Sequence, residues 1–164
     1  NRPEGLYLAL IGHLQSNKVK KVLPLVDRID SVDSVNLLLL IEKEAGKLNK
    51  NIDILFELNS SEEEQKSGFT NKEELFKAAM LLKECPHVNL KGLMTVGPLG
   101  SDREKNIKAF TYTKAVFDEL KEKYVPTISI LSMGMSGDYK EALMCGSNMV
   151  RIGTAIFGER NYNV

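Results

Sequence analysis

The residues best suited to chemistry gather near the C-terminal end of the sequence. Met133-Gly134-Met135-Ser136-Gly137 and Ile152-Gly153-Thr154-Ala155 are two glycine-bearing turns, each placed after an apolar, β-rich run. Glycine lets backbone amides approach an oxyanion closely, Ser and Thr hydroxyls add donors, and a helix N-terminus adds a favourable dipole. Arg151 stands beside the second turn and brings a permanent positive charge. Either turn alone reads as nothing more than a tight turn. Two of them after neighbouring strands, with an arginine at one mouth, point to a bound phosphate.

Other candidates carry less. Glu62-Glu63-Glu64 offers three carboxylates, but consecutive residues do not share a face, so this is read as a solvated loop rather than a metal site. Met133, Met135, Met144 and Met149 read as packing residues. Cys85 and Cys145 lack metal-ligand spacing and suit a reducing setting, and Cys145, with no histidine close in sequence, is read as a buried thiol. No catalytic residue and no metal ligand is assigned.

The elements that must position the two turns alternate along the chain. Strand patterns cover residues 6–12, 27–32, 52–58, 90–96, 127–131 and 149–152, the first being a continuous apolar run of the kind buried on both faces. Helical patterns lie between them at 16–26 (interrupted by Pro24), 34–49, about 70–85, 104–124 and 139–145, with a last turn at 155–158. In the second helix Leu38, Ile41, Ala45 and Leu48 share a face. In the fourth, Ile107, Phe110, Phe117, Leu120 and Tyr124 do so. Thr70 and Glu73 have the spacing of a capping box. Alternation of this kind is α/β with a parallel sheet, either a doubly wound open sheet or a (β/α)8 barrel. Six strands are two short of a barrel. In a barrel, phosphates are often held by the loops after the last two strands, which is where the two turns fall.

Composition sets the outer limits. Lys plus Arg equals Asp plus Glu at 22 each, so bulk charge gives no reason to expect a nucleic-acid or anionic-membrane partner. No apolar run approaches the length of a membrane-spanning helix, and a cytoplasmic setting is expected. The 164 residues suit one domain, 1–164. The sequence opens Asn1-Arg2-Pro3-Glu4 without an initiator Met. The expectation is a barrel domain truncated at its N-terminus, with two open sheet edges that invite self-association.

Five segments carry a family resemblance: IGHLQSNKVKKV, KSGF, LKGLMTVGP, LSMGMSGDYKEAL and GSNMVRIGTAIFGER. Together, from about Leu10 to Tyr162, they resemble the pyridoxal phosphate homeostasis protein family. The last two are specific, IGHLQSNK nearly so, and KSGF adds little alone. The resemblance implies a partial (β/α)8 barrel of the alanine racemase N-terminal domain type, about six of eight strands being present. It implies binding of pyridoxal 5′-phosphate for cofactor homeostasis, without established turnover. Carried onto matching positions, Ser132, the Met133-Gly134 backbone, Gly153 and Thr154 would hold the phosphate. Arg151 would face the pyridine nitrogen, which a guanidinium keeps unprotonated, making the ring a poorer electron sink. Asn59 and Met94 would line the ring pocket.

Two departures follow from the same resemblance. The family's Schiff-base lysine, at the end of the first barrel strand, has no counterpart here. Lys18, Lys20, Lys21, Lys66 and Lys91 are read as solvated surface charges. Ala9 stands where the family usually has histidine. His13 is expected to pack or face solvent, and His87 carries no signal. The alternatives are an amino-acid racemase-like enzyme and a barrel that binds sugar phosphates.

Overall fold

Strands form where the sequence concentrates branched and aromatic residues, and all six run in the same direction. The computed structural model describes residues 3–61, 66–100 and 102–158. The Glu62-Glu63-Glu64 run lies outside them. The strands are β1 (Ala9–Leu10), β2 (Arg28–Val32), β3 (Ile52–Glu57), β4 (Val88–Met94), β5 (Ile130–Met135) and β6 (Met149–Arg151). The helices are α1 (Val19–Val22), α2 (Val35–Lys47), α3 (Lys72–Met80), α4 (Arg103–Lys123), α5 (Tyr139–Met144) and α6 (Thr154–Phe157). Each strand pairs in parallel with the next, in the order β1-β2-β3-β4-β5-β6. A doubly wound sheet reverses its strand order partway. Unbroken sequential order is instead the arc of a (β/α) barrel.

The sheet curls. Arg28 Nη2 on β2 lies 3.2 Å from Met149 Sδ on β6, four strands away. In a flat sheet those strands would be about 19 Å apart. The convex face packs against the helices. Ile52, Ile54 and Phe56 of β3 and Leu131 and Met133 of β5 join Leu38, Ile41, Leu75, Phe110 and Leu120 in one apolar cluster. Each fully buried side chain of this size contributes about 1.5–3 kcal/mol. Leu55 and Met94 are also fully buried but stand outside that cluster. They belong to the concave face.

Caps fix where the long helices begin. Ser34 Oγ accepts from Leu37 N at 3.3 Å to open α2, and Asp102 accepts from Glu104 N and Lys105 N to open α4. At α3 the cap is Asn71, whose Oδ1 accepts from Glu74 N at 2.9 Å. This corrects the expected Thr70–Glu73 box. The Asn71 carboxamide, one residue later, reaches the amide, and Thr70 only approaches Glu74 Oε2 at 3.4 Å.

Other expectations are corrected as well. The apolar run at 6–12 is not a strand buried on both faces. Only Ala9–Leu10 is strand, and Leu6, Tyr7, Leu8 and Ile11 are exposed because β1 is a sheet edge. The stretch after it makes a 3-10 turn (Ser16–Lys18) and one α-turn that closes before Pro24. Leu48 caps α2 and is exposed rather than on the buried face. Ile107 is only half-buried, and Tyr124 is 37% exposed while it stacks on Phe76. Strand β5 starts later and runs further than 127–131, so Ser132, Met133 and Gly134 sit within a strand and not in the turn after it. Among the described residues no helix is long and apolar enough to cross a membrane.

Candidate functional site

The concave face differs from the convex one in kind. It carries buried polar groups: Arg28 and Asp30 of β2, Glu57 of β3, Ser132 of β5, and the half-buried Arg151 of β6. Arg28 and Asp30 form a two-pronged pair, Nε–Oδ1 at 2.5 Å and Nη2–Oδ2 at 2.9 Å. This planar fork satisfies both charges away from water. Arg28 also lies under the Tyr7 ring, 5.6 Å from its centroid. The pair therefore fills the lower part of the concave face.

Nearer the C-terminal ends of the strands, register brings the candidate residues together. Glu57 pairs with Met94, and Met94 with Ser132, so all three share one row across the sheet. Arg151 reaches into the row from β6. Its Nη1 donates to Ser132 O (3.0 Å) and Ser132 Oγ (2.8 Å), and its Nη2 donates to Thr95 O (2.8 Å). Nε is left without a hydrogen-bond partner among the described residues. Burial lowers the Arg151 pKa from its ordinary value, opposed by the charges of Asp30, Asp138 and Glu57. Burial raises that of Glu57, while the Ser67 hydroxyl and Arg151 oppose the rise.

The two glycine-bearing turns are neighbours on one rim. The amides of Gly153 and Ala155 both donate to Ser136 Oγ, each at 3.3 Å. Two N–H groups and one hydroxyl thus converge at an exposed position on the rim. A Cβ built on Gly153 would meet nothing within 4 Å, so open space lies over its backbone. Thr154 follows, exposed, at the start of α6.

The expected phosphate residues divide into two groups. Gly153 and Thr154 lie at the rim. Ser132 is fully buried in β5 and its hydroxyl is taken by Arg151. Met133 is buried in the convex core, and its N–H and C=O are both engaged by Ser147 Oγ. Gly134 adopts φ 92°, and a Cβ there would stand 2.7 Å from Ala142 Cβ. Close packing of α5 on β5 therefore requires this glycine. Ser136 is the residue that joins the two turns. Its signal in the sequence is a hydroxyl just past the strand end.

Met94 lies at the centre of the row, and Asn59 lies two residues past Glu57. Met94 is fully buried on the concave face. Asn59 lines a cavity of about 260 Å³ together with Glu57, Leu58, Lys66, Ser67 and Val96. Lys66 is not a solvated charge, because its Nζ donates to Gly97 O, just past β4, at 2.8 Å. Lys91 lies 3.5 Å from Asp53 at the opposite end of the strands. His13 is paired with Asp33 at 3.2 Å, and His87 with Glu42 at 2.7 Å.

Comparison with known proteins gives a consistent answer. The model of the alanine racemase N-terminal domain family matches residues 4–161. A pyridoxal phosphate homeostasis protein of Helicobacter pylori is 41% identical over 151 residues, which is 92% of this chain and 66% of that protein. The chain thus spans about two thirds of the length of that curated relative. Two solved structures of PipY from Synechococcus elongatus superpose closely, each at 30% identity. The form without pyridoxal phosphate gives a TM-score of 0.89 over 95% of this chain and 73% of that one, and the form with it bound gives 0.83 over 93% and 71%.

Proposed function

This chain belongs to the alanine racemase N-terminal domain family and, within it, to the pyridoxal phosphate homeostasis proteins, and on that premise we propose that it builds most of a pyridoxal 5′-phosphate site in a protein that holds the cofactor for cellular use. The observation that carries this reading is the convergence of the Gly153 and Ala155 amides on Ser136 Oγ. Amides and a hydroxyl at one rim position, with Arg151 close by in the chain, suit a phosphate dianion.

The residues present fit the cofactor in a defined way. Ser136, Gly153, Ala155 and Thr154 hold the phosphate. Arg151, fixed in place by Ser132 and Thr95, keeps Nε–H for the pyridine nitrogen. A guanidinium does not give up a proton to that nitrogen, so the ring stays a modest electron sink. This favours holding over deep carbanion chemistry. Met94 floors the ring and Asn59 walls it. The cofactor, when bound, supplies an aldehyde that condenses with amines. A cytoplasmic location and self-association through the edges at β1 and β6 complete the reading.

Equilibrium dialysis of the intact protein against pyridoxal phosphate, pyridoxal and a sugar phosphate tests it. Tight retention of pyridoxal phosphate, with pyridoxal and the sugar phosphate at least tenfold weaker, is expected. Equal retention of the sugar phosphate would favour a general phosphate barrel and overturn the assignment.

A further inference from the structure

One buried acid takes no part in the phosphate cradle. Glu57 is 4% exposed, in a row with Met94 and Ser132. Ser67 Oγ donates to its Oε1 at 2.9 Å. Its other oxygen, Oε2, is buried with no hydrogen-bond partner among the described residues. The same residue lines the 260 Å³ cavity that Asn59 shares. A buried carboxyl oxygen left unpaired is costly, and its occurrence in a residue that lines a cavity points to a ligand group.

Resting on the cofactor reading above, we propose that Glu57 is a positioning residue of the pyridoxal phosphate site, present as a neutral carboxylic acid whose free O–H donates to an oxygen on the cofactor's ring. The chemistry of the site selects that acceptor. Ser136, Gly153 and Ala155 serve the phosphate and Arg151 serves the ring nitrogen. The hydroxyl and aldehyde oxygens are then the cofactor's remaining acceptors. An ionised Glu57 has no proton to give them, so the contact exists only while the acid keeps its proton.

The groups around Glu57 decide whether it does. Asp33, after β2, opposes ionisation. Arg151 on β6, and His13 when charged, favour it. Lys66 lines the same cavity and adds a positive charge. Burial is the largest influence and favours the neutral acid. Cofactor retention therefore weakens as pH rises through the Glu57 pKa, which makes the site a holder that lets go on the alkaline side.

The test is the pyridoxal phosphate dissociation constant of the intact protein between pH 5.5 and 9, for wild type, Glu57→Gln and Glu57→Leu. Gln keeps a donor and cannot ionise. The cofactor's own groups titrate alike in all three proteins, so the ratio of wild type to Glu57→Gln isolates this side chain. The expected ratio is near one at the acid end and rises at least tenfold toward the alkaline end, with Glu57→Leu weak throughout. An infrared carbonyl band of a protonated acid, present in the wild type, absent in Glu57→Gln and shifted by cofactor, is the second readout and needs no leucine variant. A pH-independent ratio, or an unshifted band, overturns the role of Glu57 alone. Failure of the wild type to bind at any pH overturns the cofactor reading and this role with it.

Discussion

The two faces of the curled sheet solve different problems. The convex face is closed: Phe56, Leu75, Phe110 and Leu120 pack into one apolar cluster. The concave face is half open and polar, with Arg28, Asp30, Glu57, Ser132 and Arg151 sharing the space that Leu55 and Met94 floor. Folding free energy is gained on the first face by removing apolar surface from water. On the second, charged groups are held by partners, and Glu57 Oε2 is buried without one among the described residues. Stability and chemistry are thus separated by the thickness of one sheet.

That separation can be broken most completely where both faces depend on the same backbone. A Cβ at Gly92 would stand 1.7 Å from Ile130 O, a clash that only separation of β4 from β5 relieves. Gly92→Ala should yield no soluble, cooperatively folding protein, checked by circular dichroism and thermal melting. Next come two changes of similar size on opposite faces. Phe56→Ala should cost about 3–5 kcal/mol. Asp30→Ala should cost about 3–5 kcal/mol by stranding Arg28. Urea unfolding separates them through rescue: a second change of Arg28 to Met should recover much of the Asp30 loss, whereas no second change refills the Phe56 cavity. Arg151→Met removes hydrogen bonds to a charged donor, each worth about 1.5–3 kcal/mol, and should weaken pyridoxal phosphate retention tenfold or more. The smallest effect belongs to neither face. Ser34→Ala removes the α2 cap and should cost about 1 kcal/mol, with cofactor retention unchanged.

The acid on the concave face also gives the comparison a pH signature. The Glu57 pKa is raised in the folded state above its ordinary 4.5, so folding favours the protonated form. Its contribution is fully present below that value and is lost as pH rises through the folded pKa. Glu57→Gln should therefore gain stability relative to wild type as pH climbs above about 4.5, and the two should stay parallel below it. Denaturant midpoints at a series of pH values check this.

Much of the fold was legible in the alternation of strand and helix patterns, because buried parallel strands such as Ile52–Glu57 and amphipathic helices such as Val35–Lys47 announce themselves by period. Edges and boundaries were not. The apolar run at 6–12 looks like a central strand, yet an edge position leaves it exposed, and no local signal distinguishes the two. β5 was placed too early because Thr127, Ile128 and Ser129 have strand character, while the pairing of Met94 with Ser132 draws the strand onward. That shift puts Ser132 inside β5 and leaves Ser136 just past its end. Glu57 is visible as one of two acids, with Asp53, in the otherwise apolar run IDILFEL. Its side is not, since only the three-dimensional sheet shows that the even-numbered Ile52, Ile54 and Phe56 take the convex face.

The most direct test of the phosphate cradle is the phosphorus-31 resonance of pyridoxal phosphate added to the intact protein, compared between wild type and Ser136→Ala. The account predicts a broadened, shifted bound signal in the wild type, and in Ser136→Ala a bound population reduced about tenfold, as loss of one charge-assisted hydrogen bond implies. An identical bound signal in both proteins would contradict it, because the phosphate would then rest on groups other than the two turns.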